Sequence, residues 1–204
     1  MAVEIFIARH GQNIDNENGI LNGHRDLPLT KLGQAQAKDL ALGILEAGLK
    51  IDVIYSSPLV RARETAKIVK ETLGLGEVPI VLPELIERNF GIMTGKPISL
   101  IEEMCRPDIL STDTITYFLQ PEGAETFPQL IERGHKVLED VRDRQASGNA
   151  LLVCHGDIGK MIYAAATGRS WEEALRNFHF GNGELIEVSP NDTAHLIRLS
   201  QHNL

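Results

Sequence analysis

The chain has 204 residues, 43% of them hydrophobic and 24% charged, which are the proportions of a globular protein and not of a disordered or fibrous one. Its 20 basic and 28 acidic residues leave a formal charge of −8, so nucleic acid is not an expected partner, because phosphate neutralisation supplies most of that affinity. No apolar run approaches the roughly 20 residues of a membrane helix, no basic-then-apolar leader precedes the first strand, and two cysteines cannot build a disulfide framework; the expectation is a cytoplasmic protein without a membrane partner.

In chain order the sequence alternates strands with helices. Residues 2–8 read as a short buried strand, apolar and β-branched. Thr30 is the predicted N-cap of a helix reaching residue 47 and stopped by Gly48, with Leu32, Ala35, Leu42, Leu45 and Leu49 on its apolar face. Residues 52–55 read as a second strand. Ser57 and Pro58 then read as the cap and first position of a helix carrying Leu59, Ala62, Ala66, Val69 and Leu73, with Gly74 and Gly76 ending it. A third strand is expected over 79–85. Residues 127–145 form an amphipathic helix on Leu130, Gly134, Val137, Leu138 and Val141. A fourth buried strand spans 150–154, a small-residue helix 159–167, and two last strands 184–189 and 195–199, joined by the turn Pro190-Asn191-Asp192. The irregular stretch is 96–125, with three prolines and a Ser/Thr-rich centre, and it reads as a lid or insert loop. Six carboxylates against Lys96 and Arg106 make it acidic. Buried strands alternating with helices imply one α/β domain over 1–204, a three-layer α/β/α sandwich around a mostly parallel sheet.

In such sheets ligands sit beyond the carboxyl ends of the strands. Those ends carry Arg9-His10-Gly11, then Arg61 and Arg63 after the second strand, Glu87-Arg88 after the third, and His155-Gly156 after the fourth. The chemistry implied is anion handling, since an arginine presents a planar fork of donors that matches phosphate oxygens. Arg61 also lies near a helix N-terminus, with its free N–H groups and positive dipole end. A metal on His10, His24 and His155 is disfavoured because the cation would sit beside Arg9 and Arg61, and no His-x-x-x-His or His-x-His spacing occurs. A Ser/His/Asp triad is disfavoured too: there is no Gly-x-Ser-x-Gly, and Ser56 and Ser57 read as cap residues. Cys154 reads as a core thiol, Cys105 as a loop thiol, and Trp171 as an anchor for the small-residue helix. His135, His179, His195 and His202 read as structural or solvated.

Four motifs in order resemble the histidine phosphatase superfamily, in its phosphoglycerate-mutase-like branch. They are residues 9–16 with Leu21-Asn22-Gly23 and 29–35, then 56–66, then 85–91 with Gly95, then 151–156. The resemblance covers roughly residues 3 to 188. It implies that His10 is a nucleophile forming a phosphohistidine, that Arg9, Arg61 and His155 cradle the phosphoryl group, and that Glu87 is the proton donor. It further implies phosphate-binding roles for Asn16, the backbone of Gly23, and Gly156. No metal or organic cofactor is implied, and the partner is a small-molecule phosphate ester. Position 13 is Asn13 where Ser or Thr is more usual, and 121–126 is a loose version of a Pro-Gly-Gly-Glu-Ser/Thr element. The expectation is a phosphatase acting on phosphate monoesters. The alternatives are a phosphoglycerate mutase, disfavoured by the short acidic insert and by a chain that ends at Leu204 directly after its last strand, and a non-catalytic phospho-ligand or phosphoprotein binder. His24, next to Gly23, is a further candidate for substrate contact.

Overall fold

A computed structural model of the chain describes residues 4–145, 147–188 and the backbone of 195–197. Eight strands and seven α-helices follow in order: β1 (Glu4–Arg9), α1 (Ile14–Glu17), α2 (Lys31–Glu46), β2 (Val53–Ser56), α3 (Val60–Leu73), β3 (Ile80–Val81), α4 (Ile101–Cys105), β4 (Ile109–Ser111), β5 (Thr116–Phe118), α5 (Phe127–Arg144), β6 (Asn149–Cys154), α6 (Gly156–Thr167), α7 (Trp171–Asn177), β7 (Leu185–Val188) and β8 (His195–Ile197). The main sheet has the order β3-β2-β6-β1-β7-β8. Its pairs are parallel from β3 through β1, while β7 and β8 are antiparallel additions at one side.

The period of two along the strands divides the core. Ile5, Ile7, Tyr55, Leu152 and Cys154 face a layer with residues of α5, α6 and α7. Phe6, Ala8, Ile54, Leu151 and Val153 face the other layer, with α2 and α3. Both faces of the sheet are therefore buried, as a parallel sheet requires. A third, smaller cluster packs Ile101, Cys105 and Phe118 of the insert against Phe90 and Met93, which precede it.

Several expectations change. The third strand is only Ile80–Val81, followed by a 3₁₀ turn, Pro83–Leu85. The 96–125 stretch is not a structureless loop: it holds a 3₁₀ turn (Ile98–Leu100), α4 and the β4–β5 hairpin. Its own cluster explains why, since Ile101, Cys105 and Phe118 bury apolar area without the main core. The small-residue helix starts at Gly156, three residues earlier than its periodicity suggested, with His155 at its N-cap. Ser57 does not cap α3; the N-cap is Leu59, without a side-chain bond. Trp171 begins a helix of its own, capped by Ser170, and its ring stacks on Phe127 of α5 at 5.6 Å. The turn at 190–192, His202, the His195 side chain and the ends of the two outer strands lie outside the described residues.

Helix α6, which begins at the site, crosses α5 closely at Gly134. A Cβ there would come within 2.8 Å of the Met161 carbonyl oxygen. Gly134→Ala is therefore expected to destabilise the fold by about 1–3 kcal/mol despite the better helix propensity of alanine. Urea unfolding checks this, and an unchanged midpoint would show that the crossing has slack.

Candidate active site

The register of the central strands assembles the site. β1 and β6 run parallel with Arg9 opposite Cys154, and Ser56 of β2 lies opposite Val153. The next residues are held by the same ladder: the His10 N–H donates to the Cys154 carbonyl at 3.0 Å, and the Ser57 N–H to the Val153 carbonyl at 3.0 Å. His10, His155 and Ser57 thus leave the sheet side by side. Gly11 permits the close approach of α2, since a Cβ there would sit 2.2 Å from the Gly33 carbonyl oxygen.

Arg61, on the first turn of α3, is fully buried among them. Its Nε–H lies 3.1 Å from His10 Nε2 and 3.2 Å from His155 Nδ1. Its Nη1 and Nη2 donate to the carbonyls of Arg25 at 2.6 Å and Gly23 at 3.0 Å. The positive φ of Gly23, 49°, helps turn that carbonyl inward. These bonds fix the tautomers. His10 Nδ1 is 2.6 Å from the Gly11 carbonyl and must be its protonated nitrogen, so Nε2 keeps the lone pair. His155 accepts at Nδ1, so its Nε2–H donates to Ser57 Oγ at 2.7 Å. The two rings stand edge to face with centroids 5.0 Å apart. Arg9 gives Nη1 to the Phe180 carbonyl at 2.8 Å, while its buried Nε has no partner among the described residues.

Glu87 enters from beyond β3. Its Oε1 accepts from the Arg88 N–H at 2.8 Å and the Ile158 N–H at 3.1 Å, and its Oε2 from the Asp157 N–H at 3.3 Å. The carboxyl group therefore sits on the N-terminus of α6. Arg88 is buried beneath it, pairing with Asp157 Oδ2 at 2.8 Å. Its guanidinium carbon lies 4.3 Å from the ring centre of Phe118, 4.4 Å from Phe127 and 5.1 Å from Phe90.

A cavity of about 660 Å³ opens above these groups. It is lined by Arg9, His10, Asn16, Arg61, Glu87 and Gly156 of the expected set, and by Arg88, Asp157, Lys160 and the insert. His155 and Gly23 stand behind that lining and reach it through Arg61. Asn16 accepts from the Asn13 N–H and from Asn182 Nδ2, each at 3.3 Å, which leaves its own NH₂ as a donor. Asn13 is buried and caps α1, with its Nδ2 on Asn22 Oδ1 at 2.6 Å, so the amide takes a bracing role at this position. Two expectations fail. Arg63 is exposed on the outer side of α3. His24 does not line the cavity; its Nε2 is 2.8 Å from the Glu87 carbonyl, where it fastens the segment that carries Glu87. Cys105 and Cys154 are both buried. Ser57 and Asn182 were missed. Asn182, between Gly181 and Gly183, donates to the His10 carbonyl at 2.8 Å. Among the described residues no cluster of three or more His, Cys, Asp or Glu is placed to hold a metal.

The electrostatics suit an anion. Burial, then Arg61, hold both histidines well below their ordinary pKa, so both are neutral at pH 7. Burial also lowers Arg61 to about 10 and lowers Arg9, leaving two charged but poorly solvated guanidiniums. Burial and then Asp157 raise Glu87, against the Arg88 and Ile158 N–H groups and Arg61, which favour its anion.

The model of the histidine phosphatase superfamily (branch 1) matches residues 5–202. A 2,3-bisphosphoglycerate-dependent phosphoglycerate mutase of Parvibaculum lavamentivorans is 28% identical over 197 residues, 95% of this chain and 93% of that one. A Hydrogenobacter thermophilus protein named "Putative phosphoserine phosphatase 2" is 33% identical, over 90% of this chain and 88% of its own length. Among solved structures, Bacillus stearothermophilus YhfR superposes with a TM-score of 0.76 at 25% identity, over 96% of both chains.

The buried histidines make a pH prediction. Their folded pKa values lie below the ordinary 6.5, so below that pH the unfolded chain takes up protons that the folded one does not. Their stabilising contribution is complete above pH 6.5 and is lost as pH falls, by up to about 1.4 kcal/mol per pH unit for each ring. Glu87, with a raised value, acts in the opposite sense, so the variants isolate the histidines. Unfolding between pH 7 and 5 should show a shallower acid slope in His10→Asn and His155→Asn than in the parent; equal slopes would mean that the rings titrate normally.

Proposed function

Since the chain belongs to the histidine phosphatase superfamily, we propose that it is a phosphatase hydrolysing small-molecule phosphate monoesters through a phosphohistidine on His10. The observation that carries this reading is the buried Arg61 Nε–H shared between the lone-pair nitrogens of His10 and His155, with the unpartnered Arg9 Nε nearby. Two desolvated cations beside a neutral nucleophile make a site for a dianion that reacts at that nucleophile.

The phosphate oxygens take the donors of Arg9 and Arg61, with the Asn16 amide at the rim. His10 Nε2 gives its lone pair to phosphorus, the P–O bond to the alcohol breaks, and the Glu87 proton passes to the leaving oxygen. The proton stays on Nδ1, hydrogen-bonded to the Gly11 carbonyl, which helps spread the positive charge that develops on the ring. The bound dianion raises Glu87 further, so the group enters the first step protonated. In the second step water attacks the phosphohistidine, Glu87 takes the water's proton, and free phosphate and neutral His10 return. The arginines supply the charge neutralisation for which other phosphoryl-transfer sites use a metal, so the reaction needs no cofactor.

The mutase relative favours a second reading, transfer to a phosphoglycerate instead of water. The insert argues against it. Lys96 is exposed and away from the cavity, and Arg106 is exposed and paired with Glu102 at 2.6 Å, so neither insert cation lines the site. The insert residue with charge in the lining is Glu102. Holding the dianion of a second phosphate would require cations there.

Rapid quench with labelled phosphate ester should give an alkali-stable, acid-labile phosphoenzyme, absent in His10→Ala. With phosphoglycerate, released phosphate should exceed isomerised product. Label persisting in the variant would remove His10 as the covalent site, and isomerisation dominant by tenfold, about 1.4 kcal/mol in barrier, would establish the mutase.

Glu87→Gln keeps the shape and removes the proton. Its loss on alkyl phosphates should fall in the roughly 10²–10⁴-fold range of general acid catalysis, and be much smaller on p-nitrophenyl phosphate, whose leaving group needs no proton. Equal losses on both would reduce Glu87 to a positioning residue, with Asp157 the next donor to test.

A further inference from the structure

The catalytic reading leaves one charged group in the cavity without a task. Lys160, one turn beyond Asp157 on α6, lines the cavity yet is only 3% exposed. Buried lysines are rare unless paired. Here the ammonium donates to Tyr117 Oη on the insert hairpin and lies 4.7 Å from the centre of that ring. No carboxylate among the described residues forms an ion pair with it, since Asp157 is taken by Arg88. One hydrogen bond to a phenol leaves two of the three ammonium N–H groups as donors.

The charges around the cavity can be counted. The dianionic phosphate matches Arg9 and Arg61. Arg88 and Asp157 cancel, Glu102 is paired with Arg106, and Glu87 enters protonated. Lys160 is left with a single positive charge. Burial lowers its pKa to about 8, Arg9 adds to the lowering, and Asp157 and Glu87 oppose it, so it stands within the field of the phosphate cradle and is charged at pH 7. The insert lines the same cavity with Ile101, Ile115 and Phe118 and with the uncharged polar residues Ser99, Thr114 and Thr116. One cation is too little for a second phosphate dianion and is matched by a carboxylate, which accepts two N–H donors readily.

We propose that Lys160, steadied by Tyr117, is the anion subsite for the leaving alcohol and selects phosphate monoesters whose alcohol carries a carboxylate. The proposal rests on the phosphatase reading and adds its substrate class. Binding draws the carboxylate to Lys160 and places the ester oxygen toward Glu87, so recognition and proton transfer share the wall formed by α6. Tyr117 is a positioning residue, because its hydroxyl orients the ammonium.

The test compares 3-hydroxypropanoate phosphate with n-propyl phosphate, which differ only in the carboxylate. The parent should favour the first in kcat/KM by about tenfold or more, the range of a charge-assisted hydrogen bond. Lys160→Met should cut that ratio at least tenfold, Tyr117→Phe should lower it less, and Lys160→Arg should retain part of it. A ratio near one in the parent, or an unchanged ratio in Lys160→Met, overturns the subsite. If Lys160→Met does not fold, Tyr117→Phe and Lys160→Arg decide: ratios equal to the parent's in both overturn it. Failure of the parent to release phosphate from either ester, or from p-nitrophenyl phosphate, overturns the phosphatase reading instead.

Discussion

A guanidinium buried between two imidazoles is costly to keep. Arg61 has left water, and its N–H groups go to ring nitrogens and backbone carbonyls, none of which carries a full negative charge. A buried cation without an anion is several kcal/mol less stable than a solvated one. Much of the local architecture limits that cost. Gly23 turns its carbonyl in, the 10–13 turn is braced by Asn182, and Thr65 bonds both the Gly11 N–H and the Arg61 carbonyl at 3.2 and 2.8 Å. Any anion bound there would offset that cost, so part of its binding energy would come from desolvation already built into the fold.

A second buried cation is handled differently. Arg88 has a carboxylate on one side and three aromatic faces on the others. Its burial is satisfied within the protein, and it serves as a joint. Phe118 comes from the insert, Phe127 from α5, Asp157 from α6, and Glu87 is its chain neighbour. Displacement of the hairpin must therefore disturb Arg88, whose backbone N–H holds the Glu87 carboxyl group. Arg61 and Arg88 share a residue type and a depth, yet one is poised for a ligand and the other is already paired; the difference lies entirely in what surrounds each.

The layers and the strand ends were legible in the sequence because both arise from local patterns. Buried β-branched runs, helical stripes and capping residues specify the alternation, although the buried face of α2 is Ala37, Leu40, Ala41 and Ile44 and leaves the expected Leu32 and Leu45 exposed. The alternation places Arg9, His10, Arg61, Glu87 and His155 on one edge. What was not legible depends on contacts between distant segments. Ser57 has the residue type and position of a cap, and only the parallel pairing of β2 with β6 brings it against His155. Lys160 sits on a mostly apolar helix, where a single lysine reads as solvated until Tyr117 of the insert is brought against it. The insert itself is built from strands of three residues and one short helix, too brief for any periodicity to register. Even α1, four residues long, is fixed by the paired amides of Asn13 and Asn16 and not by an apolar stripe.

His10 and His155 are distant in sequence, yet each directly follows one of two strands that are neighbours in the sheet. β1 is made first and must wait for β6 before its parallel ladder can form. Contacts so distant in sequence form late, because the entropy of closing the intervening chain has to be met first. Before β6 pairs with it, β1 ends in Arg9 and His10 with that edge open. Until residue 155 is in place, neither the Arg61–His155 contact nor the burial that lowers His10 can be complete. A chain cut before β6 would therefore keep His10 but lack both the parallel ladder that positions it and the Arg61–His155 contact beside it.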